Sequence, residues 1–424
     1  MAIIFGTAVA IALPTIQDHF QTNFTGIQWL VTAYTLTLGV LILISGSLGD
    51  TFGRKRIFNL GISVFILGSI LAAFSRSIAL LISSQIVIGL GGAMMVPGSL
   101  AIINTCIREK QRGRAIGLWT GFITGGAVLA PFIGGWLVES YGWPSIFYFN
   151  IIFGAISLLA GVRFIPTDEN LRPTRIDWVG IVLAGVGMLG ISYGLIQESL
   201  FSLGVGLVLL VTFAIAESRI QHPLVPLEIF KNPLVSGANL VTLLLYTALN
   251  GLIFFVILNF QQVHNFSPLI TGIAFIPAPL LVTILAGPFG SWADRIGPRL
   301  PMILGPAIVA VAFGLLIFTG PNSNYFTRFL PGLILHGIGM AITVAPLTKS
   351  ALAVKPNYSG VASGMNNAVA RLSAPLAIAA FGLLVQDSLA DGFRWIMAIC
   401  TILAVAGTIV SYLTIRNPIT PPAQ

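Results

Sequence analysis

What most constrains this chain is a succession of apolar runs, each nearly free of charge and most of them long enough to cross a bilayer. A helix needs about 20 mostly apolar residues to span the hydrocarbon. Windows of that kind fall near 1–17, 27–48, 57–75, 78–103, 114–138, 145–165, 177–196, 201–217, 234–260, 268–290, 300–319, 326–347, 359–386 and 393–415. Their apolar residues are continuous rather than alternating, which implies helices and not an outer-membrane barrel. Hydrophobic residues make up 56% of the chain and charged residues 8%, against roughly 25% charged in an ordinary soluble domain. A water-soluble fold cannot bury that much apolar surface, which excludes a soluble enzyme or nucleic-acid binder. The wealth of Leu, Ile, Val and Phe excludes disorder. The expected fold class is therefore an all-α membrane protein with about fourteen transmembrane helices.

Charge placement gives the orientation. The net charge of +8 would suggest nucleic acid in a soluble protein, but in a membrane protein positive charge collects in cytoplasmic loops. With an even count of spans, both termini share one side. The loops of that side carry 17 of the 21 Lys and Arg, whereas the opposite loops carry only Arg76, Arg328 and Arg394, and Arg371 falls inside a span. This predicts a multi-pass protein of the cell (inner) membrane with both termini cytoplasmic. The Pro-bearing stretches near 166–176 and 218–233 read as linkers. No leader is evident: the chain starts almost inside its first apolar run, as a start placed too late would produce. Cys106 and Cys400 lie far apart, and no phosphate-binding Gly-rich loop with Lys, no nucleophile elbow and no metal-ligand cluster is visible. An enzyme, a cofactor, a bound metal, direct use of ATP and an obligate protein partner are accordingly not expected.

The chain repeats itself. Gly46, Asp50 and Gly53, between spans two and three, recur as Gly290, Asp294 and Gly297, 244 positions later. Gly89, Gly91 and Ala93 recur as Gly337, Gly339 and Ala341 at an offset of 248. Gly113, Ala115 and Gly117 recur as Gly360, Ala362 and Gly364 at 247, and Gly142-Trp143 recurs as Gly392-Phe393 at 250. Four matches in order at nearly one offset predict two pseudo-symmetric six-helix halves: residues 1–165, and 234–424 with its last span ending near 415. Residues 166–233 supply two extra linker helices. Both Asp motifs fall on the same side, so the repeats are parallel, as in transporters that rock two halves about a central site.

These residues resemble a known group. Gly46-x-Leu48-x-Asp50-x-x-Gly53-Arg54-Lys55 is similar to the loop motif of the major facilitator superfamily. Gly126-x-x-x-Ala130-Pro131-x-x-Gly134-Gly135 resembles the antiporter motif of its export branches. Gly142-Trp143-x-x-Ile146-Phe147-Tyr148-x-Asn150, Ile176-Asp177-Trp178-x-Gly180 and Ala362-Ser363-Gly364-x-Asn366-Asn367-x-x-x-Arg371 resemble its fourteen-span drug:proton antiporters. The resemblance covers the whole chain. It implies the major facilitator fold, alternating access, and export of small amphipathic or organic compounds, with the proton as coupling ion.

The motifs also carry a physical reading of their own. Gly46 and Gly53 allow a tight turn with close backbones. Asp50, an acid in a basic loop, is able to pair with Arg54 or a neighbouring helix end and so lock one conformation. Asp294 and Gly297 repeat the device. The bland alternative is a helix-end charge on a wet surface. Pro131 favours a kink, and Gly126, Gly134 and Gly135 offer a smooth face to a partner helix, which suits a gate and ordinary packing alike. Two ionisable side chains fall mid-span, His336 and Arg371, and such groups are functional candidates. His336 either carries a proton or bonds between helices, and Arg371 either draws an anionic group or clasps helix carbonyls. Tyr34, Gln85, Trp119, Tyr246, Asn250, Asn366 and Asn367 are further cavity candidates, for each of which interhelical hydrogen bonding is the alternative.

The sequence departs from that branch where proton coupling would reside. Phe5 stands where the branch carries an Asp, Ala10 where it carries an Asn, Gln85 where it carries an Arg and Ile88 where it carries a Gln. All 13 acids fall in loops or at span ends. The expectations are therefore a small-molecule exporter of the drug:proton type, a proton-independent facilitator or organic-anion carrier of the same fold, or a non-transporting membrane sensor.

Overall fold

The computed structural model describes residues 2–107, 109–166, 177–220, 223, 225–354, 358–385 and 388–417. The linker expected at 166–176 lies, from 167 on, outside the described residues. The apolar runs form helices because a backbone in hydrocarbon must satisfy its own hydrogen bonds. In chain order these are α1 (Ala2–Phe20), α2 (Phe24–Phe52), α3 (Arg54–Ala73), α4 (Ile78–Cys106), α5 (Glu109–Tyr141), α6 (Ser145–Phe164), α7 (Trp178–Ile196) and α8 (Leu200–Glu217). After a short 3-10 turn at Leu227–Lys231 come α9 (Pro233–Leu258), α10 (Pro268–Phe275), α11 (Pro277–Ile296), α12 (Arg299–Leu316), α13 (Leu330–Ala351), α14 (Ser359–Gly382) and α15 (Leu389–Thr414). Pro277 divides one crossing into α10 and α11.

Among the described residues twelve segments are long and apolar enough to cross a membrane. The fourteen expected include two more, α1 and α14, which fall outside that set yet pack inside the bundle. In α14 the reason is chemical, since Asn366, Asn367 and Arg371 interrupt its apolar sequence. Helices start where a short polar side chain takes up an orphan first-turn amide. Asn23 accepts from Gly26 N at 3.0 Å and Asp177 from Gly180 N at 2.8 Å.

The sequence repeat is also a packing repeat. In the first six helices α2 packs on α4, α3 on α4 and α6, and α1 on α5. In the last six crossings the equivalent pairs meet: α11 with α13, α12 with α13 and α15, and α9 with α14. The contacts match residue by residue. A Cβ on Gly91 would stand 2.7 Å from Gly61 O, and one on Gly339 would stand 2.8 Å from Gly305 O. A Cβ on Gly89 would stand 2.8 Å from Tyr34 O, and one on Gly337 would stand 2.7 Å from Ala278 O. Ala278 and Gly305 follow Tyr34 and Gly61 by 244 positions. Lipid gives helices no hydrophobic reason to associate, so close backbone approach at small residues supplies the dispersion contact. The two sets meet through α2 with α14 and α5 with α10, while α7 packs on α8, α2 and α14.

The bundle is closed at one end and open at the other. At the end bearing Gln17, a Cβ on Gly135 would stand 2.9 Å from Leu269 Cα and one on Gly272 would stand 2.8 Å from Pro131 C, so the backbones of α5 and α10 leave no room for a side chain between them. Towards the end bearing Asp50, Cβ positions on Gly113, Gly117, Gly121 and Gly125 of α5, Gly287 of α11, and Gly360 and Gly364 of α14 meet nothing within 4 Å.

Candidate functional site

Between the two sets of helices lies a cavity of about 620 Å³. Its wall includes Phe5 of α1, Tyr34 of α2, Gln85 of α4, Tyr246 and Asn250 of α9, and Asn366, Asn367 and Arg371 of α14. Seven of the nine side chains singled out from the sequence as cavity candidates thus share one space. The other two stand elsewhere. Trp119 Nε1 donates to Ser99 Oγ at 3.3 Å, joining α5 to α4. His336 is 3% exposed, with its ring centroid 5.3 Å from that of Phe313.

The wall residues divide by what already holds them. Asn366 Nδ2 donates to Thr242 Oγ1 at 2.8 Å and Asn239 Oδ1 at 3.2 Å, and Asn250 Nδ2 donates to Ser373 Oγ at 3.0 Å. Both asparagines clasp α9 to α14. Asn367 Nδ2 bonds its own helix at Ser363 O, 3.0 Å away. Gln85 differs: it is 0% exposed, and neither its amide nitrogen nor its amide oxygen has a partner in the protein. Arg371 Nε is likewise buried without a partner, and no ion pair to Arg371 is present among the described residues. Arg371 is also the one charged side chain among the described residues of the wall. Phe5 sets its ring edge-on to Tyr34 at 5.1 Å and to Phe65 and Phe147 at 5.8 Å. The position where a carboxylate was expected by resemblance is therefore the centre of an aromatic cluster.

At the open end, Asp50 Oδ1 accepts from Arg54 Nη2 at 2.7 Å and Nε at 3.0 Å. The pair straddles Gly53, whose φ of +99° only glycine adopts without strain. Gly46 falls within α2. In the matching turn Gly297 has φ +87°, and Asp294 pairs not with the next helix but with Lys349 of α13. Asn417 secures this second turn, accepting from Arg299 N at 3.1 Å and donating to Ile296 O at 3.2 Å.

At the closed end, α5 runs as one helix from Gly126 through Pro131, and a Cβ on Gly134 would stand 2.8 Å from Ala8 Cα of α1. The segment therefore presents one small-residue face to α1 and α10 together. The side chains of Gln17, Gln28, Glu139, Gln261 and Gln262 bond across the two sets here, none of them anticipated from the sequence. Gln262 Nε2 donates to Gln17 Oε1 at 2.9 Å, Gln261 Nε2 to Ile11 O at 2.9 Å, and Gln28 Nε2 to Ile378 O at 2.9 Å. Glu139 Oε2 accepts from Leu269 N at 2.9 Å, at the N-terminus of α10. One signal was present: Gln17 and Gln262 are 245 positions apart, the repeat offset, so their bond joins equivalent residues.

The family model described as Major Facilitator Superfamily matches residues 1–378 and 280–424. Among curated proteins, the chain is 33% identical over 395 residues to the puromycin resistance protein pur8 of Streptomyces alboniger, covering 89% of this chain and 78% of that one. It is 31% identical over 385 residues to the multidrug resistance protein Stp of Mycobacterium tuberculosis, covering 88% and 71%. It is 30% identical over 410 residues to the tetracenomycin C resistance and export protein of Streptomyces glaucescens, covering 93% and 76%. Among solved structures, a peptide transporter POT with bound sulfate matches with TM-score 0.73 at 14% identity, covering 96% of this chain and 91% of that one. The inward-open xylose transporter XylE of E. coli matches with TM-score 0.69 at 12% identity, covering 99% and 95%.

Proposed function

Because the chain belongs to the Major Facilitator Superfamily, we propose that this multi-pass transporter exports small amphipathic organic compounds by alternating access. The observation that carries the reading is the cavity of about 620 Å³ between two repeat-related sets of helices, closed at the Gln17 end and open at the Asp50 end. A carrier must offer such a space to one side at a time, and two packings of one set against the other supply the two states. The excess of Lys and Arg in the loops on the Asp50 side supports an orientation in a bacterial inner membrane with that end and both termini facing the cytoplasm. In that orientation the structure faces inward, ready to take up a compound for export. The relatives named for resistance to puromycin and tetracenomycin C support the direction and the class. Residues 1–165 and 234–424 act as the rocking halves, and residues 166–233 add the α7–α8 pair at their margin.

Proteoliposomes test this. Purified protein is expected to give saturable, protein-dependent flux of tetracenomycin C or another amphipathic organic compound. No flux of any such compound, under either a proton gradient or a substrate gradient, would overturn it.

A second reading concerns coupling. No carboxylate lines the cavity among the described residues, and Phe5 sits in an aromatic cluster. Proton antiport through a cavity acid is the usual device of such pumps, and here the cavity favours transport that does not consume a proton gradient. Flux that continues after the gradient is collapsed with a protonophore supports this reading; flux that stops rejects it.

A further inference from the structure

We infer that the central cavity selects aromatic organic anions, carboxylates or sulfonates, over the lipophilic cations of the same shape. The inference rests on reading this cavity as the transport site. Three features of the wall converge on it.

The first is charge. Arg371 is the one charged side chain among the described wall residues, and its Nε is buried with no partner. A guanidinium stays protonated and presents a planar fork that matches a carboxylate or sulfonate. Half-buried and with no acid paired to it among the described residues, it attracts an anion and repels a cation, and a cationic ligand would meet no compensating acid on this wall.

The second is an unsatisfied amide. Gln85 is fully buried in the same wall with both amide atoms lacking a protein partner. Native structures rarely leave both ends of a buried amide unmet. An amide that can both donate and accept suits a ligand hydroxyl or carbonyl, and adds orientation without a preference for charge.

The third is an aromatic face. Phe5 and Tyr34 meet edge-on at 5.1 Å, and Tyr246 belongs to the opposing set of helices. Aromatic walls hold planar rings by edge and offset contacts. The polar asparagines of the wall are largely committed to joining α9 to α14, as described above, so the ligand's charge falls to Arg371.

Two xanthene dyes of nearly the same shape and opposite charge make the test. Fluorescein is anionic and rhodamine 123 cationic at pH 8. Fluorescence polarisation with the full-length purified protein is expected to show fluorescein binding at least tenfold tighter. Arg371→Gln is expected to weaken fluorescein about tenfold or more and abolish the preference, whereas Arg371→Lys keeps part of it. Gln85→Leu is expected to weaken both dyes several-fold and leave the preference intact. Added salt tests the wild-type protein independently of whether a variant folds, and it should weaken fluorescein more than rhodamine 123.

Equal affinity for the two dyes, tighter rhodamine binding, or a preference that survives in correctly folded Arg371→Gln overturns the inference. So does failure to bind either dye. In each of those cases, protein-dependent flux of another compound in proteoliposomes leaves the carrier reading standing, so the two failures are distinguishable.

Discussion

Asp50 and Arg54 show how little energy a functional contact at this scale needs. The two side chains are 41% and 29% exposed, and an ion pair with that access to water is worth roughly 0.2–1 kcal/mol. Such a pair cannot hold the fold together, but it can bias two packings that differ by a few kcal/mol. The repeat-related acid differs in its partner: Asp294 reaches Lys349 on α13. The two turns are therefore equivalent in backbone and unequal in restraint. Asp50→Asn is expected to slow transport several-fold while expression, membrane insertion and thermal stability stay as in wild type. Unaltered turnover in proteoliposomes would show that the pair has no part in switching. Phe5 contrasts with both acids: it cannot titrate, and its ring is held by three others.

At the scale of elements, the closure at the Gln17 end is built by α5 and α10. Their backbones meet at Gly135 and Gly272, so no side chain cushions the contact. Glu139, one turn further along α5, takes up Leu269 N and the hydroxyl of Ser267. These are the free donors at the start of α10, where negative charge is favoured by the helix dipole. Among the side chains named above that bond across the sets at this end, Glu139 is the ionisable one, and it is exposed to solvent. Glu139→Gln keeps the shape and removes the charge, so the closed end should open more readily. Spin labels on Gln21 and Asn322 are expected to report a larger population of long distances in Glu139→Gln than in wild type. An unchanged distribution would mean that the backbone contact alone holds this end.

For the whole molecule, the glycines of α5 form one row with two uses. Gly134 and Gly135 are packed in the present state, while Gly113, Gly117, Gly121 and Gly125 face open space. Glycine costs a helix interior roughly 0.5–1 kcal/mol relative to alanine, so four at a spacing of four, touching nothing, bring no stability to this state. They fit a second state in which the Asp50 end closes and α5 approaches α11 near Gly287, as it approaches α10 near Gly272 now. Gly117→Leu is expected to leave the present form as stable as wild type or slightly more so, and to reduce transport at least tenfold by blocking that closure. Full transport by this variant would mean the row has no role in the second packing.

The crossings, their order and the two turns were legible in the residues themselves, because the cause of each is local. About 20 apolar residues in hydrocarbon have no alternative to a helix, and Gly53 and Gly297 each supply the positive φ at which one helix stops and the next begins. The repeat was legible too, since close helix contacts need small residues at set positions, and Gly61, Gly89 and Gly91 return as Gly305, Gly337 and Gly339. The site was legible only in part. That Tyr34, Gln85, Tyr246 and Arg371 face one cavity while His336 turns to Phe313 depends on the rotation of each helix against its neighbours. Hydropathy does not encode that rotation when lipid and protein interior are equally apolar. Tertiary packing alone decided that Asn250 and Asn366 are clasps, that Gln85 is left with both ends unmet, and that Gln17, Gln28, Glu139, Gln261 and Gln262 seal one end. Each of those outcomes joins residues more than a hundred positions apart or denies one a partner, and only the assembled helices determine which.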